Sequence, residues 1–255
     1  MDVPRTVTTA LEDRPIEGAI CLEAGAGVGN ATAGLLASGA ARVYAVTDDR
    51  THAETVLERV RTDRDAVDQN RNRDGERIER RLAVLEADLR AIPLPDDAVE
   101  VITAHGLFNV VPPADLDAIA GELTRVAAPG CHLLVDDYEP PPDDAAVRDL
   151  FALENAAAQF ADGTPMVTFY PAEVLGRLFA GYGWTVDRHR TLLDPVPWTA
   201  SHLEAHAEVV RSRVDALPAD SELGAALLER ADTLVEVIGS ESTGEMYSLA
   251  LRRPE

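Results

Sequence analysis

A short apolar run, Ala19-Ile20-Cys21-Leu22, leads straight into Glu23-Ala24-Gly25-Ala26-Gly27-Val28-Gly29-Asn30, and this junction constrains the chain more than any other stretch. The run is long enough for one buried strand. After it, Ala31 to Ala37 reads as a helix, with Leu35 and Leu36 on its inward side and Ser38-Gly39 ending it. Glycines on three alternate positions between a strand and a helix make a turn whose backbone can approach a ligand closely. The amides at the helix start are then expected to face that ligand. A glycine-rich turn with no ligand is the plain alternative.

Two cofactor classes use such a turn. The dinucleotide fingerprint needs glycine at the sixth place of its spacing; counted from Gly25, that place holds Asn30. What stands here is acidic-x-Gly-x-Gly-x-Gly, which resembles the first motif of the class I S-adenosylmethionine-dependent methyltransferases. The resemblance implies an α/β fold with a doubly wound, seven-stranded, mostly parallel sheet, and S-adenosyl-L-methionine as cofactor. It also implies that Glu23 lies near the methionine part and that Gly25, Gly27 and Gly29 let the nucleoside lie over the turn, with Ala24 and Asn30 in the same cofactor-binding loop.

Later landmarks follow in the family's order. Arg42 to Thr47 reads as a second strand; the family places there, at its end, an acidic residue that accepts from both ribose hydroxyls. A carboxylate suits two adjacent donors. The usual alignment puts Thr47 at that place, and Asp48 is the carboxylate chosen here, with Asp49 as a helix cap or surface charge. Leu82 to Ala87 is a third strand, and Asp88-Leu89-Arg90-Ala91-Ile92-Pro93-Leu94 resembles the adenine-side motif. That resemblance implies that Asp88 accepts from the adenine amino group and that the Leu89 amide meets a ring nitrogen. Val99 to Ala104 is a fourth strand ending at His105, and Ala114 to Ala127 an amphipathic helix with Leu116, Ile119, Leu123 and Val126 at helical spacing. Pro129-Gly130 then turns into a fifth strand, His132 to Asp136.

The 255 residues carry a formal net charge of -22 and no lysine, every basic side chain being arginine. So acidic a surface opposes a general nucleic-acid or anionic-membrane binder. The composition resembles that of proteins from salt-loving microbes; in molar salt the screening length falls to about 3 Å, which relieves self-repulsion. Between Thr51 and Arg81, arginines from Arg59 to Arg81 alternate with acids, as in a solvated helix pair with a loop near Gln69–Asn72. Cys21 and Cys131 sit in apolar runs and read as inert core thiols, and no spacing suggests a metal site. No targeting signal or membrane-length run stands out, so a cytoplasmic protein is expected.

The chain reads as a single domain over 1–255, with helical insertions at 140–180 and 195–240 forming a substrate lid. Asp143 or Asp144 is expected to cap the first insertion helix, which runs to Phe160. Among the insertion aromatics Phe151, Phe160, Phe169, Tyr170 and Trp198, the pair Tyr170 and Trp198 is the choice for contacting substrate; packing is the alternative for each. In-line methyl transfer needs a base only when the nucleophile must lose a proton. His105, which also flanks the cofactor, is the first candidate and Tyr138 the second, with His189 weaker. The expected activity is methyl transfer to a small-molecule acceptor. A silent nucleoside-binding or scaffold protein on the same fold and a nicotinamide-dependent oxidoreductase are the rivals.

Overall fold

The computed structural model describes residues 2–68, 80–218 and 221–255, with backbone alone for 61–68. The sequence alternates strand and helix: α1 (Arg5–Leu11), β1 (Ile20–Ala24), α2 (Asn30–Ala37), β2 (Arg42–Thr47), α3 (Arg50–Asp68), β3 (Leu82–Glu86), β4 (Val99–His105), α4 (Leu116–Val126), β5 (Ala127–Tyr138). The turn expected at Gln69–Asn72 and the side chains of Arg61, Arg64, Arg71, Arg73 and Arg77 lie outside the described residues. Then follow α5 (Val147–Asp162), α6 (Ala172–Gly181), β6 (Thr185–Leu193), β7 (Pro197–Trp198), α7 (Ala200–Val214), α8 (Glu222–Ile238), β8 (Glu241–Ser242) and β9 (Met246–Arg252).

Seven strands form one sheet in the order β3-β2-β1-β4-β5-β9-β6. β3 through β5 pair in parallel, and only β9 runs antiparallel to its neighbours β5 and β6. Parallel strands buried on both faces read as continuous apolar runs, as β1 and β4 do. Alternate residues then feed opposite layers. Cys21, Val43, Val101 and Leu134 pack on α1, α2 and α3, through Val7, Leu11, Leu35, Leu36 and Val60. Leu22, Val46, Ile102 and Leu133 pack on α4 and α6, through Ile119, Leu123, Leu175 and Phe179. Edge strand β6 is the polar one, carrying Asp187, Arg188, His189 and Arg190.

Because β9 reverses direction, β6 runs parallel to β5, and both end at the same edge of the sheet: Tyr138 and Leu193 each stand opposite Met246. The two helical segments leave from that edge. α5, α7 and α8 pack together through Ala157, Ala207, Val210, Leu227 and Ala231, and a two-stranded sheet, Pro197 opposite Ser242 and Trp198 opposite Glu241, ties them at their base.

Two local expectations change. α5 starts at Val147 with no side-chain cap from Asp143 or Asp144. Its first amides are met instead by Glu241, whose carboxylate accepts from Ala146 N at 3.1 Å and Val147 N at 2.9 Å. A cap supplied from 94 residues away leaves no local trace. The fifth strand runs from Ala127 to Tyr138, longer at both ends than its apolar centre, because β4 and β9 pair with its flanks.

Candidate active site

The strand tips of β1, β2, β3 and β4 open on a cavity of about 660 Å³, within the range of small-ligand sites. Gly25 and Gly27 of the loop after β1 line it, with Thr47, Asp48 and Asp49 after β2, Asp88 and Leu89 after β3, and His105, Gly106 and Leu107 after β4. Val110, Val111 and Ile119 add an apolar wall, and Met166 and Arg213 reach in from the helical cap.

Gly25, Gly27 and Gly29 all have positive φ, at 72°, 47° and 77°, which only glycine adopts without penalty. The loop is tied down from below: Gly25 N and Ala26 N both donate to Val46 O, at 3.0 and 2.9 Å, and Gly29 N donates to Ala26 O at 2.7 Å. The expectation that the helix-start amides all face a ligand is therefore corrected. Thr32 N, in the first turn of α2, donates to the Glu23 carboxylate at 2.8 Å, and the Thr32 hydroxyl does so too. The Gly27 and Val28 amides are not used in this way.

Glu23 is thus placed under the loop rather than on the cavity, only 2% exposed, clasping β1 to α2. Ala24 is fully buried in the strand. Asn30 also turns away: its Oδ1 accepts from Arg59 at 2.7 Å. Burial raises the Glu23 carboxyl from an ordinary 4.5 to about 7, against the Thr32 hydrogen bonds, which lower it. Between those two values the folded state keeps a proton that the unfolded chain has lost, so this group's contribution to stability falls as pH rises through the window. Glu23→Gln carries no such proton. Its stability relative to the parent chain is expected to rise between pH 4.5 and 7, and denaturant melts at pH 4.5 and 8 check it.

At the end of β2 the three neighbours divide cleanly. The Thr47 hydroxyl accepts from Asp49 N at 3.2 Å and is buried. Asp49 caps α3, its Oδ1 accepting from Thr51 N at 2.6 Å and His52 N at 3.0 Å; these bonds hold its carboxyl below the usual range. The exposed Asp48 carboxylate lines the cavity and makes no hydrogen bond or ion pair to the described residues. Asp88, also on the cavity, is gripped by Arg90 through Nη2 at 2.6 Å, and Arg90 Nη1 reaches Asp115 Oδ1 at 3.0 Å, strapping the third strand's exit to the start of α4. The Arg90 guanidinium keeps Asp88 low.

His105 closes β4 on the cavity wall, with Nδ1 3.2 Å from Asp136 Oδ2. Burial works to lower the imidazole, but the Asp136 hydrogen bond and the charges of Asp136, Glu23 and Asp137 outweigh it and raise it. Asp137 accepts from Tyr138 N at 2.9 Å and Asn109 N at 3.0 Å; burial nonetheless lifts it to about 7.

The other named side chains are not brought to this cavity. Trp198 is 7% exposed, inside an aromatic cluster 5.1 Å from Phe151 and 5.5 Å from Tyr138. Its indole donates to Thr243 O at 3.2 Å. Packing, not substrate contact, is where the structure puts it. Tyr138 is in the same cluster, and burial raises its phenol. Tyr170 stands behind the wall, donating to Val111 O at 3.0 Å and accepting at its own carbonyl from the Tyr247 hydroxyl at 2.8 Å. Phe160 faces solvent. His189 lies at a separate groove over β6. Sequence reasoning placed the fourth strand's tip, through Leu107, beside the cofactor but gave no role to Val110 and Val111, a few residues further on. Met166 and Arg213 carry no local signal, since their place depends on how the cap folds back.

A family model described as a methyltransferase domain matches residues 22–135. Demethylmenaquinone methyltransferase from Clavibacter sepedonicus is 33% identical over 138 residues, 53% of this chain and 48% of that protein. The enzyme of the same name from Thermus thermophilus is 47% identical over 62 residues, 24% of this chain and 27% of that protein. The chain thus spans about half the length, or less, of these curated relatives. Among solved structures, geranyl diphosphate C-methyltransferase from Streptomyces coelicolor A3(2), determined with S-adenosyl-L-homocysteine, superposes with a TM-score of 0.59 at 14% identity, covering 97% of this chain and 76% of that one. The matched segment runs from within β1 to within β5, and holds the whole glycine loop and the acidic tips of β2 and β3. Residues 22–135 are thus similar to a methyltransferase domain, and the sheet order is that of the Rossmann-like methyltransferase fold.

Proposed function

We propose that the chain transfers a methyl group from S-adenosylmethionine to a small-molecule acceptor by in-line displacement. The observation that carries this reading is the junction of three strand tips around one cavity: two glycines with positive φ, the unengaged Asp48 carboxylate and the Asp88-Leu89 pair. The fit to an adenosyl group is chemical. A Cβ built on Gly27 meets nothing closer than Gly25 O at 3.9 Å, so the loop leaves room for a flat nucleoside. Asp48 offers two acceptor oxygens to the ribose diol, and Asp88, held on the cavity by Arg90 through its backbone N, Nε and Nη2, stands on the adenine side.

When bound, the cofactor supplies a methyl group on a positively charged sulfur, already activated for displacement. The chain's own tasks are then alignment and exclusion of water. Met166 and Arg213 serve the second: both come from the cap, and Arg213 Nη2 lies 3.1 Å from Met166 Sδ, joining the two insertions above the cavity. In this reading segments 140–180 and 195–240 are the lid. The wall of Leu107, Val110, Val111 and Met166 suits an apolar acceptor, in keeping with relatives named for demethylmenaquinone and geranyl diphosphate. Among the described residues no helix is long and apolar enough to cross a membrane. The acidic, lysine-free composition suits work in concentrated salt in the cytoplasm, without a nucleic-acid partner.

Calorimetry in about molar potassium chloride, where surface charge is screened, separates this from its rivals. Micromolar binding of S-adenosylhomocysteine, with none of NADH, is the expected result. NADH binding would favour the oxidoreductase, and silence toward both nucleosides would leave a scaffold.

A further inference from the structure

The carboxyl side of the cavity holds more acid than alignment of a cofactor needs. Glu23, Asp136 and Asp137 are all buried, on β1 and β5, around a single histidine. β4 and β5 pair in parallel with His105 opposite Asp136, so the two side chains leave the same face of the sheet at adjacent strand tips. Their separation, 3.2 Å from Nδ1 to Oδ2, is hydrogen-bonding. The Asp136 side chain is 3% exposed and that of His105 18%. Asp136 Oδ1 has no hydrogen-bond partner in the described residues, which leaves the imidazole as the partner of this carboxylate. An ionised carboxylate can only accept. The hydrogen therefore sits on Nδ1, and Nε2 is left as the acceptor on a side chain that lines the cavity.

We propose that His105 and Asp136 act as a base pair for an acceptor bearing a phenol- or enol-type hydroxyl, with His105 receiving the proton and Asp136 as the positioning residue. The proposal rests on the methyltransferase reading above and names the acceptor class for that same site. In the reaction a bond forms between the acceptor oxygen and the methyl carbon, and the carbon–sulfur bond breaks with its electron pair staying on sulfur. The hydroxyl proton goes to His105 Nε2 and leaves through the cavity to solvent. The acceptor class follows from acidity. A phenolic hydroxyl ionises near 10, within a few units of an imidazolium, so an imidazole can take its proton as the oxygen attacks. An alkyl alcohol is a much weaker acid, so its proton passes to an imidazole less readily as the oxygen attacks. A carboxylate acceptor needs no base.

The charged groups around the imidazole come from each packed element: Glu23 on β1, Asp136 and Asp137 on β5, and Arg188 on β6, whose charge bears on Asp136. Removing the Asp136 charge takes away the partner in direct contact. An opposite charge at such range shifts a neighbour by about 1–3 pH units.

Nitrogen-15 NMR of the cofactor-free protein in molar potassium chloride tests the pair, with the His105 signals assigned by their loss in His105→Gln. Two results are expected: Nδ1 is the protonated nitrogen of the neutral ring, and Asp136→Asn lowers the His105 midpoint by at least about one pH unit. A neutral ring protonated on Nε2 overturns the proposal, and needs no variant to see. So does a midpoint that Asp136→Asn leaves in place while the variant's melt shows it folded. S-adenosylhomocysteine titrated into the same samples keeps the two readings apart. Binding with an unmoved His105 sinks the pair and spares the cofactor assignment. No binding in the parent chain sinks the cofactor assignment, and the proposed role with it, whatever the imidazole does.

Discussion

Asp48→Ala is expected to weaken S-adenosylhomocysteine binding by at least roughly 100-fold while leaving the melting curve nearly unchanged. Hydrogen bonds to a charged acceptor contribute about 1.5–3 kcal/mol each, and every 1.4 kcal/mol is tenfold in affinity. The stability half of the expectation is as strong as the binding half, because the exposed Asp48 carboxylate is bonded to none of the described residues. Asp49→Ala should do the reverse. Its carboxylate holds the first amides of α3, Thr51 N and His52 N, and losing such a cap costs about 1 kcal/mol; binding should change little, since the Asp49 carboxylate is engaged by the helix start. Thr47→Val disturbs only the hydroxyl that meets Asp49 N, inside the turn. Titration calorimetry and thermal melts on the three variants decide the matter. If Asp49→Ala abolishes binding and Asp48→Ala does not, the ribose contact belongs one residue later.

What could be read from residues alone was whatever is local. Strands β1 to β5 each contain a short apolar run, and the run itself carries the information. The meeting of Gly25, Asp48, Asp88 and His105 at one cavity was legible for the same reason: each sits within a residue or two of the end of a strand, and strand ends in open α/β sheets converge. Two side chains are held where the sequence gives no sign of it. The motif position of Glu23 points to the ligand, while its buried carboxylate is bonded by the amide and hydroxyl of Thr32, nine residues on. Trp198 was assigned to substrate because prolines isolate it in the sequence. In three dimensions Phe151 and Tyr138, from other elements, close over it. The cap supplies the rest of the cavity from Met166 and Arg213, 47 residues apart. No periodicity announces such a meeting, because it depends on how three helices pack and not on any one of them.

Gly25→Ala should remove cofactor binding outright, by at least about 100-fold, and the argument turns on what can move. A Cβ at position 25 would stand 2.7 Å from Leu107 Cδ1, closer than real carbons approach, so one side must yield. The loop cannot back away, since the amides of Gly25 and Ala26 are both fixed to Val46 O on the neighbouring strand. Leu107 must therefore turn, and it lines the cavity. The new methyl and the displaced leucine together occupy the floor on which the nucleoside is proposed to lie. The backbone adds its own cost: φ is 72° here, and a non-glycine residue in that region costs roughly 1–2 kcal/mol. Gly163→Ala separates the two effects. It ends α5 with φ of 79°, and nothing lies within 4 Å of the added Cβ. Both variants should lose about 1–2 kcal/mol of stability in denaturant melts, but only the first should lose S-adenosylhomocysteine. If Gly25→Ala binds as tightly as Gly163→Ala, the glycines of this turn serve the bend of the chain alone, and the ligand must be sought elsewhere on the sheet edge.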